Sequence, residues 1–426
     1  SIGRRLLLHK RERTLYLLML VILCSLTLAG VILEGPEDLL GKLLLLQTRG
    51  ARLISDFTVH GVGLALLNVA SVGFLGLVLV YFAAINLSGP TLATIMTMMG
   101  FSFFGNTLYN STPVIIGVFL ASKLAKVSFG SYSIIALFGT AIAPIVTYLS
   151  FEIGLTPMIG IPLGIVSGIG IGFILPAIAG TLLSLHQGYS LYNMGFACGF
   201  VGLFIASILN ALGLLQPLAV LWSESSSLAL TLVVPVMSLF FIITAFTLER
   251  PGEMLSGFLG VQGQIGRLPS DYYESESPSG TLLNIAVLGL IYWLYVLGVG
   301  APINGPVLGG LLTIMGFGGF GKTVKNTIPI VLGVFLTTLL LGNSPASPSP
   351  ILAALFSTTL APLAGQFGFF IGILAGAIHV IVVDVTASWH GGLDLYNNGF
   401  AGGLTASLII SVIHWLSANR TREDFT

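Results

Sequence analysis

The chain has 426 residues, of which 55% are hydrophobic and only 8% charged, with 16 basic and 16 acidic side chains in balance. Soluble domains carry about 25% charged residues, so this composition excludes a soluble fold and describes an all-α polytopic membrane protein whose constant partner is the lipid bilayer. Balanced charge offers no basic surface to nucleic acid, and two cysteines far apart in apolar runs, Cys24 and Cys198, exclude a disulfide framework or a CxxC metal site.

In chain order, Arg4, Arg5, Lys10, Arg11 and Arg13 precede an apolar run over 15–33. No small-x-small cleavage signal follows, and the run is close to the roughly 20 residues a spanning helix needs. It reads as a retained first span after a cytoplasmic tail, 1–14, placed by its positive charge. Residues 34–58 mix Glu34, Glu37, Asp38, Lys42, Arg49, Arg52 and Asp56 with a leucine run and read as an interfacial connection. A long apolar helix over 60–86 ends at NLSGP, 86–90. The next apolar segment, 91–104, is too short to cross and is bounded by Gly-Pro and by Gly105-Asn106, which is the pattern of a re-entrant helix. Asn110 and Pro113 predict a helix start, and spans follow near 113–126, 131–150, 157–183 and 191–212.

A second unit repeats these parts: span 228–248, a polar connection over 249–280, span 281–300, a re-entrant segment over 307–320, a restart at Asn326 and Pro329, and spans near 329–341, 350–370, 372–388 and 394–416. The predicted units are 15–227 and 228–419, before a tail, 420–426, in which Arg420 and Arg422 point to the cytoplasm. The count comes to about 12 to 14 spans. Mixed loop charges do not decide whether the units are inverted or parallel.

The repeat is explicit in two pairs of stretches. HQGYSLYNMGFACG, 186–199, matches HGGLDLYNNGFAGG, 390–403, at an offset of 204, and GPTLATIMTMMGFSFFG, 89–105, matches GPVLGGLLTIMGFGGFG, 305–321, at an offset of 216. The second offset holds through Asn110/Asn326, Pro113/Pro329 and Gly117/Gly333. Broken helices at membrane depth are tolerated where they line a cavity or are buried in protein, and transporters place such breaks around the substrate at the repeat interface. The competing reading is that small residues only permit close helix packing.

Polar residues at this depth are costly and become functional candidates. The expected substrate-binding set is His186, Tyr192, Asn193, His390, Tyr396 and Asn397 from the signature stretches, with Asn106, Asn110, Lys322, Lys325 and Asn326 from the re-entrant loops. The bland alternative is that histidines, tyrosines and asparagines there satisfy broken backbone. The units differ where Asn106 and Tyr109 become Lys322 and Lys325, just before a helix N-terminus, so positive charge there suits an anion. Asp384, His379 and Asp394 are the expected proton-coupling residues. His379 and Asp384 are five apart, about 140° round a helix, which is poor geometry for a metal pair, and no metal or other cofactor is expected.

The duplicated HxGxxLYNxGFAxG stretch resembles that of an uncharacterised family of bacterial multi-pass membrane proteins, a domain of unknown function, which implies an inner-membrane location and no particular activity. A weaker similarity joins NLSGP and the later Tyr-Asn-x-Gly, Tyr192 to Gly195, to the repeat motifs of urea transporters; it implies a two-repeat pore. The leading expectation is transport of a small anion or polar metabolite at the repeat interface, coupled to protons. A passive urea-type channel for a small neutral solute is the alternative. A membrane-embedded enzyme ranks below both, because no nucleophile motif, HExxH or nucleotide loop occurs, and a homo-oligomer is compatible with all three.

Overall fold

The computed structural model describes residues 10–423; Arg4, Arg5 and the last three residues lie outside them. The described chain is helical, with one isolated bridge between Ser55 and Leu221 in place of any sheet. The first repeat comprises α1 (Lys10–Glu34), α2 (Leu39–Leu46), α3 (Val62–Phe82), α4 (Gly89–Phe101), α5 (Leu108–Leu124), α6 (Phe129–Gly139), α7 (Pro144–Phe151), α8 (Pro157–His186) and α9 (Asn193–Ala211). The second comprises α10 (Leu228–Leu248), α11 (Pro251–Gln262), α12 (Tyr272–Ser275), α13 (Pro278–Val299), α14 (Gly305–Phe317), α15 (Val324–Leu340), α16 (Pro348–Phe356), α17 (Ala361–Phe367), α18 (Phe369–Trp389) and α19 (Asn397–Glu423).

Helix ends that meet one another define two faces. On one, the Glu12 carboxylate accepts from Leu87 N, Gly130 lies against Ala83, Gly188 against Leu268, and Gly89 N donates to Asp271. On the other, Gly50 lies against Glu152, Arg52 donates to Gln216 O and Gly391 O, and Gly305 N donates to Asp56. Thus α4 and α5 leave the first face and return to it, with the turn at 102–107 reaching towards the second. Their counterparts α14 and α15 leave from the second face. Five crossings per repeat, an odd number, therefore make the repeats inverted.

This corrects the expected 12 to 14 spans. Among the described residues nine helices are long and apolar enough to cross, α16 and α17 together over 348–367 being one of them, and ten when α6 and α7, bent by 44°, count as one. The surplus came from 113–126 and 329–341, which are parts of the returning limbs α5 and α15. Hydropathy measures apolar length and not the face on which a segment emerges. The expected helix starts at Asn110 and Asn326 also shift. Thr107 and Thr323 are the N-caps, Asn110 and Asn326 complete capping boxes with them, and Pro113 and Pro329 lie inside the helices.

Two crossings form the centre. Helices α4 and α14 approach so closely that a Cβ on Gly100 would lie 2.7 Å from Gly309 O, and one on Gly316 3.1 Å from Ala93 Cα. Helices α9 and α19 meet at Gly195 and Gly399, where either added Cβ would fall within 2.9 Å of the other glycine's Cα. Glycine is needed at these contacts because the backbones occupy the space a side chain would take.

Candidate functional site

The long connections of the repeats are exchanged. Asp56 Oδ1 accepts from Gly305 N at the start of α14, 3.1 Å, and Asp271 Oδ1 accepts from Gly89 N at the start of α4, also 3.1 Å. Each repeat thus supplies the carboxylate at the N-terminus of the other repeat's re-entrant helix, where the helix dipole favours negative charge. One residue on, Phe57 N donates to Phe103 O and Tyr272 N to Gly319 O. Arg52 donates to Gly391 O, and its counterpart Arg267 to Gln187 O. Within each repeat an asparagine closes the break: Asn68 Nδ2 donates to Ser102 O and Asn106 O, and Asn284 Nδ2 to Gly318 O and Lys322 O.

In the signature stretches the histidines act as braces. His186 Nδ1 accepts from Gly188 N and Ser190 N, so Nε2 carries the proton and donates to Asn193 Oδ1 at 2.9 Å. Asn193 Nδ2 then donates to Ala179 O. His390 repeats this with Asp394 N on Nδ1 and Asn397 Oδ1 on Nε2, and Asn397 Nδ2 donates to Val383 O. These four side chains spend their hydrogen bonds turning the chain from one helix into the next. Asn110 and Asn326 spend theirs likewise, through Nδ2 on Gly105 O and Gly321 O.

The brace places Tyr192 and Tyr396 face to face on the pseudo-twofold axis, with ring centroids 4.5 Å apart and planes at 23°. Phe101 stands edge-on to Tyr396 at 4.4 Å and Phe317 edge-on to Tyr192 at 5.0 Å. The signature stretches therefore converge at the centre as expected, but the point of convergence is a packed aromatic layer. Both tyrosines are 1% exposed.

Lys322 and Lys325 part company. Lys325 is exposed, whereas Lys322 is wholly buried, with its Nζ donating to Tyr192 Oη and 4.5 Å from the centre of that ring. Among the described residues no carboxylate lies within ion-pair distance of Lys322. Its counterpart Asn106 is also fully buried and donates to Thr140 Oγ1.

The expected proton-coupling residues are dispersed. Asp384, expected deep in an apolar span, is instead exposed and accepts from Ser349 Oγ. It lines a cleft of about 240 Å³ with Asn397, Asn398, Phe356 and Leu395. His379 is buried behind that cleft, its Nε2 paired with Asn398 Oδ1 at 2.8 Å and its Nδ1 without a partner. Asp394 stands apart and fully buried, with Oδ1 on Tyr396 N and Oδ2 unpartnered. In the other repeat Tyr192 N is capped by Thr359 Oγ1, whose counterpart on the 140–142 turn is Ala141. The Asp394 carboxylate replaces the hydroxyl that Ala141 lacks.

With this geometry in place, comparison with known proteins is decisive at the level of family. The family model described as "Protein of unknown function (DUF1576)" matches residues 35–211 and 250–415, one stretch in each repeat. The chain belongs to this family. No curated protein and no solved structure matches it, so the resemblance to urea transporters has no support.

Several residues of this DUF1576 chain that shape the site were not singled out from the sequence: Asp56/Asp271, Arg52/Arg267 and Asn68/Asn284. Each is a polar pair at an offset of 215 or 216, the same signal that marked the glycine-rich stretches. Thr359 carries no such signal, because its counterpart is alanine.

Proposed function

We propose that the protein is a secondary transporter that moves a small anion or polar metabolite between the two faces, with Lys322 as the charged group that meets it. The observation that carries this reading is a lysine Nζ buried at the junction of two broken helices with, among the described residues, no carboxylate within ion-pair distance. An unpaired buried charge costs several kcal/mol, and at membrane depth such a residue is retained for work on an ion or solute. The N-terminus of α15 adds its positive dipole end at the same break. Inverted repeats supply two exchangeable arrangements about one site, and the aromatic layer closing the centre supports alternation over an open pore. The cleft that ends on Phe356, edge-on to both tyrosines, is the access route from one face. Proton coupling runs through Asp384 at that cleft and His379 behind Asn398. Lys10, Arg11, Arg13, Lys123, Lys126, Arg250, Arg267 and Arg420 share the face that holds the N-terminal end, against Lys42, Arg49 and Arg52 opposite, so that face is cytoplasmic by the positive-inside rule.

The test is counterflow in proteoliposomes across a panel of radiolabelled inorganic anions and short carboxylates. One of them is expected to exchange in the wild type, Lys322→Gln to lose most of that exchange, and exposed Lys126→Ala to keep it. Equal activity of the two variants would overturn the role of Lys322.

A further inference from the structure

The cleft of about 240 Å³ has one carboxylate at its mouth and an apolar floor. Asp384, exposed, is the single ionisable side chain among those lining it. Its Oδ1 accepts from Ser349 Oγ at the start of α16, and among the described residues nothing donates to its Oδ2. The cation next to the cleft in the chain, Arg52 beside Leu53, is turned away onto Gln216 O, Gly391 O and the ring of Tyr148. The amides along the wall serve the protein itself: Asn397 through both its oxygen and its nitrogen, Asn398 through Oδ1 on His379 Nε2.

Below the mouth the lining is apolar. Val383, Leu352 and Leu395 are buried, and the floor is made by Phe104 and Phe356, 1% and 2% exposed, with ring centroids 6.5 Å apart. An engineered apolar cavity of about 150 Å³ admits benzene, so this cleft has room for a body of that size with a short polar end. Apolar walls with a few polar groups that fix orientation are how small-molecule sites are built. A bare metal cation would need a shell of several oxygens, which these walls do not offer.

The other repeat shows that the frame does not require the carboxylate. At the offset of 204 the counterparts of Asp384, His379 and Asn398 are Gly180, Leu175 and Met194. Ser131, the counterpart of Ser349, pairs with Ser128 instead. A Cβ on Gly180 would meet nothing within 4 Å, so lack of space is not what keeps an aspartate out of the first repeat.

We propose that the cleft binds a small organic monocation, an ammonium on an apolar body, with the ammonium on Asp384 at the mouth and the body against Phe104 and Phe356. The charge-assisted hydrogen bond selects the cation, and burial of the body supplies affinity that a surface ion pair lacks. This is a statement about equilibrium binding and does not rest on transport. If an anion enters by this route, the bound ammonium cancels the one negative charge lining it.

The experiment is isothermal titration calorimetry of the purified full-length protein in detergent with phenethylammonium chloride, against the same detergent without protein. Wild type is expected to bind the amine saturably. It should bind 2-phenylethanol, the same body without the charge, and methylammonium, the charge without the body, at least tenfold more weakly. Asp384→Asn, which keeps an oxygen for Ser349 Oγ, is expected to raise Kd at least tenfold, and Glu224→Gln, exposed on the same face, to leave it unchanged. Ala387→Trp fills the cleft and leaves the carboxylate in place; it is expected to abolish binding, and it decides the matter if Asp384→Asn does not fold. No saturable heat above that of detergent would overturn the proposal, as would an Asp384→Asn protein that binds like wild type. So would 2-phenylethanol binding as tightly as the amine, which would leave an apolar groove without selection for a cation.

Discussion

The exchanged connections make a quantitative demand on stability. Asp56 is fully buried and accepts four hydrogen bonds: Oδ1 from Thr58 N at 3.0 Å, Thr58 Oγ1 at 2.6 Å and Gly305 N at 3.1 Å, and Oδ2 from Ser223 N at 3.1 Å. Asp56→Ala strands three backbone N–H groups, while the Thr58 hydroxyl can rotate to another acceptor. A buried donor left unsatisfied costs about 1–3 kcal/mol, and loss of the carboxylate from the start of α14 adds about 0.3–1 kcal/mol. The sum is about 3 kcal/mol at the lower end, a large part of the roughly 5–15 kcal/mol that holds a typical protein folded. Asp271, half-buried, accepts from Gly89 N and from the exposed Glu274 N, which water can reach, so Asp271→Ala strands one. The expected order of Tm in detergent is wild type, then Asp271→Ala, then Asp56→Ala, with exposed Glu224→Ala matching wild type. Asp56→Asn, which keeps an acceptor oxygen, should fall between wild type and Asp56→Ala. If Asp56→Ala and Glu224→Ala unfold together, the carboxylate does not tie the repeats and the reasoning fails.

Gly399→Ala places a Cβ 2.8 Å from both Tyr192 Cβ and Gly195 Cα and is expected to cost about 1–3 kcal/mol by overpacking. Gly170→Ala in α8, with open space around it, should be neutral or stabilising; comparison of their Tm values checks the central crossing. Glu152, outside the spans, has its carboxyl pushed above the usual range by burial, against the opposing pull of Arg52. A raised folded-state pKa means stability that is present while the group is protonated and lost as pH rises through that pKa, so Glu152→Gln should exceed wild type in Tm at about pH 8 and converge with it towards about pH 4. For the proposed coupling, Asp384→Asn should retain counterflow and lose accumulation driven by a pH gradient; gradient-driven accumulation in a well-folded variant would remove Asp384 from the mechanism.

The duplication, the helical class and the two short apolar helices were legible in the sequence because each is a local property: a repeated string, a composition, a run too short to span. The inversion was not, because it depends on where the limbs α5 and α15 return. Residues 35–61 and 249–277 read as loops of their own repeats, and nothing in their composition says that Asp56 and Asp271 reach the opposite one. Lys322 and Lys325 look alike in sequence, three residues apart. They differ because Lys322 precedes the Thr323 cap and points into the break, while Lys325 lies on the outer side of the first turn of α15. Asp384 reads as buried among valines, but its side of α18 opens on the cleft, a fact of packing that no window of neighbours contains.

The positions at which the repeats differ separate frame from chemistry. The crossing glycines, the capping threonines, the His–Asn braces and the stacked tyrosines occur in both copies, and all of them shape backbone. At the centre the copies differ at Asn106/Lys322, Ser190/Asp394 and Ala141/Thr359, and in where Gln47 and Gln262 spend their amides. Had the duplication served only to pack a symmetric bundle, a buried lysine and a buried aspartate would each cost several kcal/mol with nothing in return, and asparagine and serine already fit the same backbone in the other copy. Both ionisable side chains come from the second repeat, Lys322 at its own break and Asp394 beside the 140–142 turn of the first. One break thus buries a lysine Nζ, and the other an asparagine whose Oδ1 has no partner.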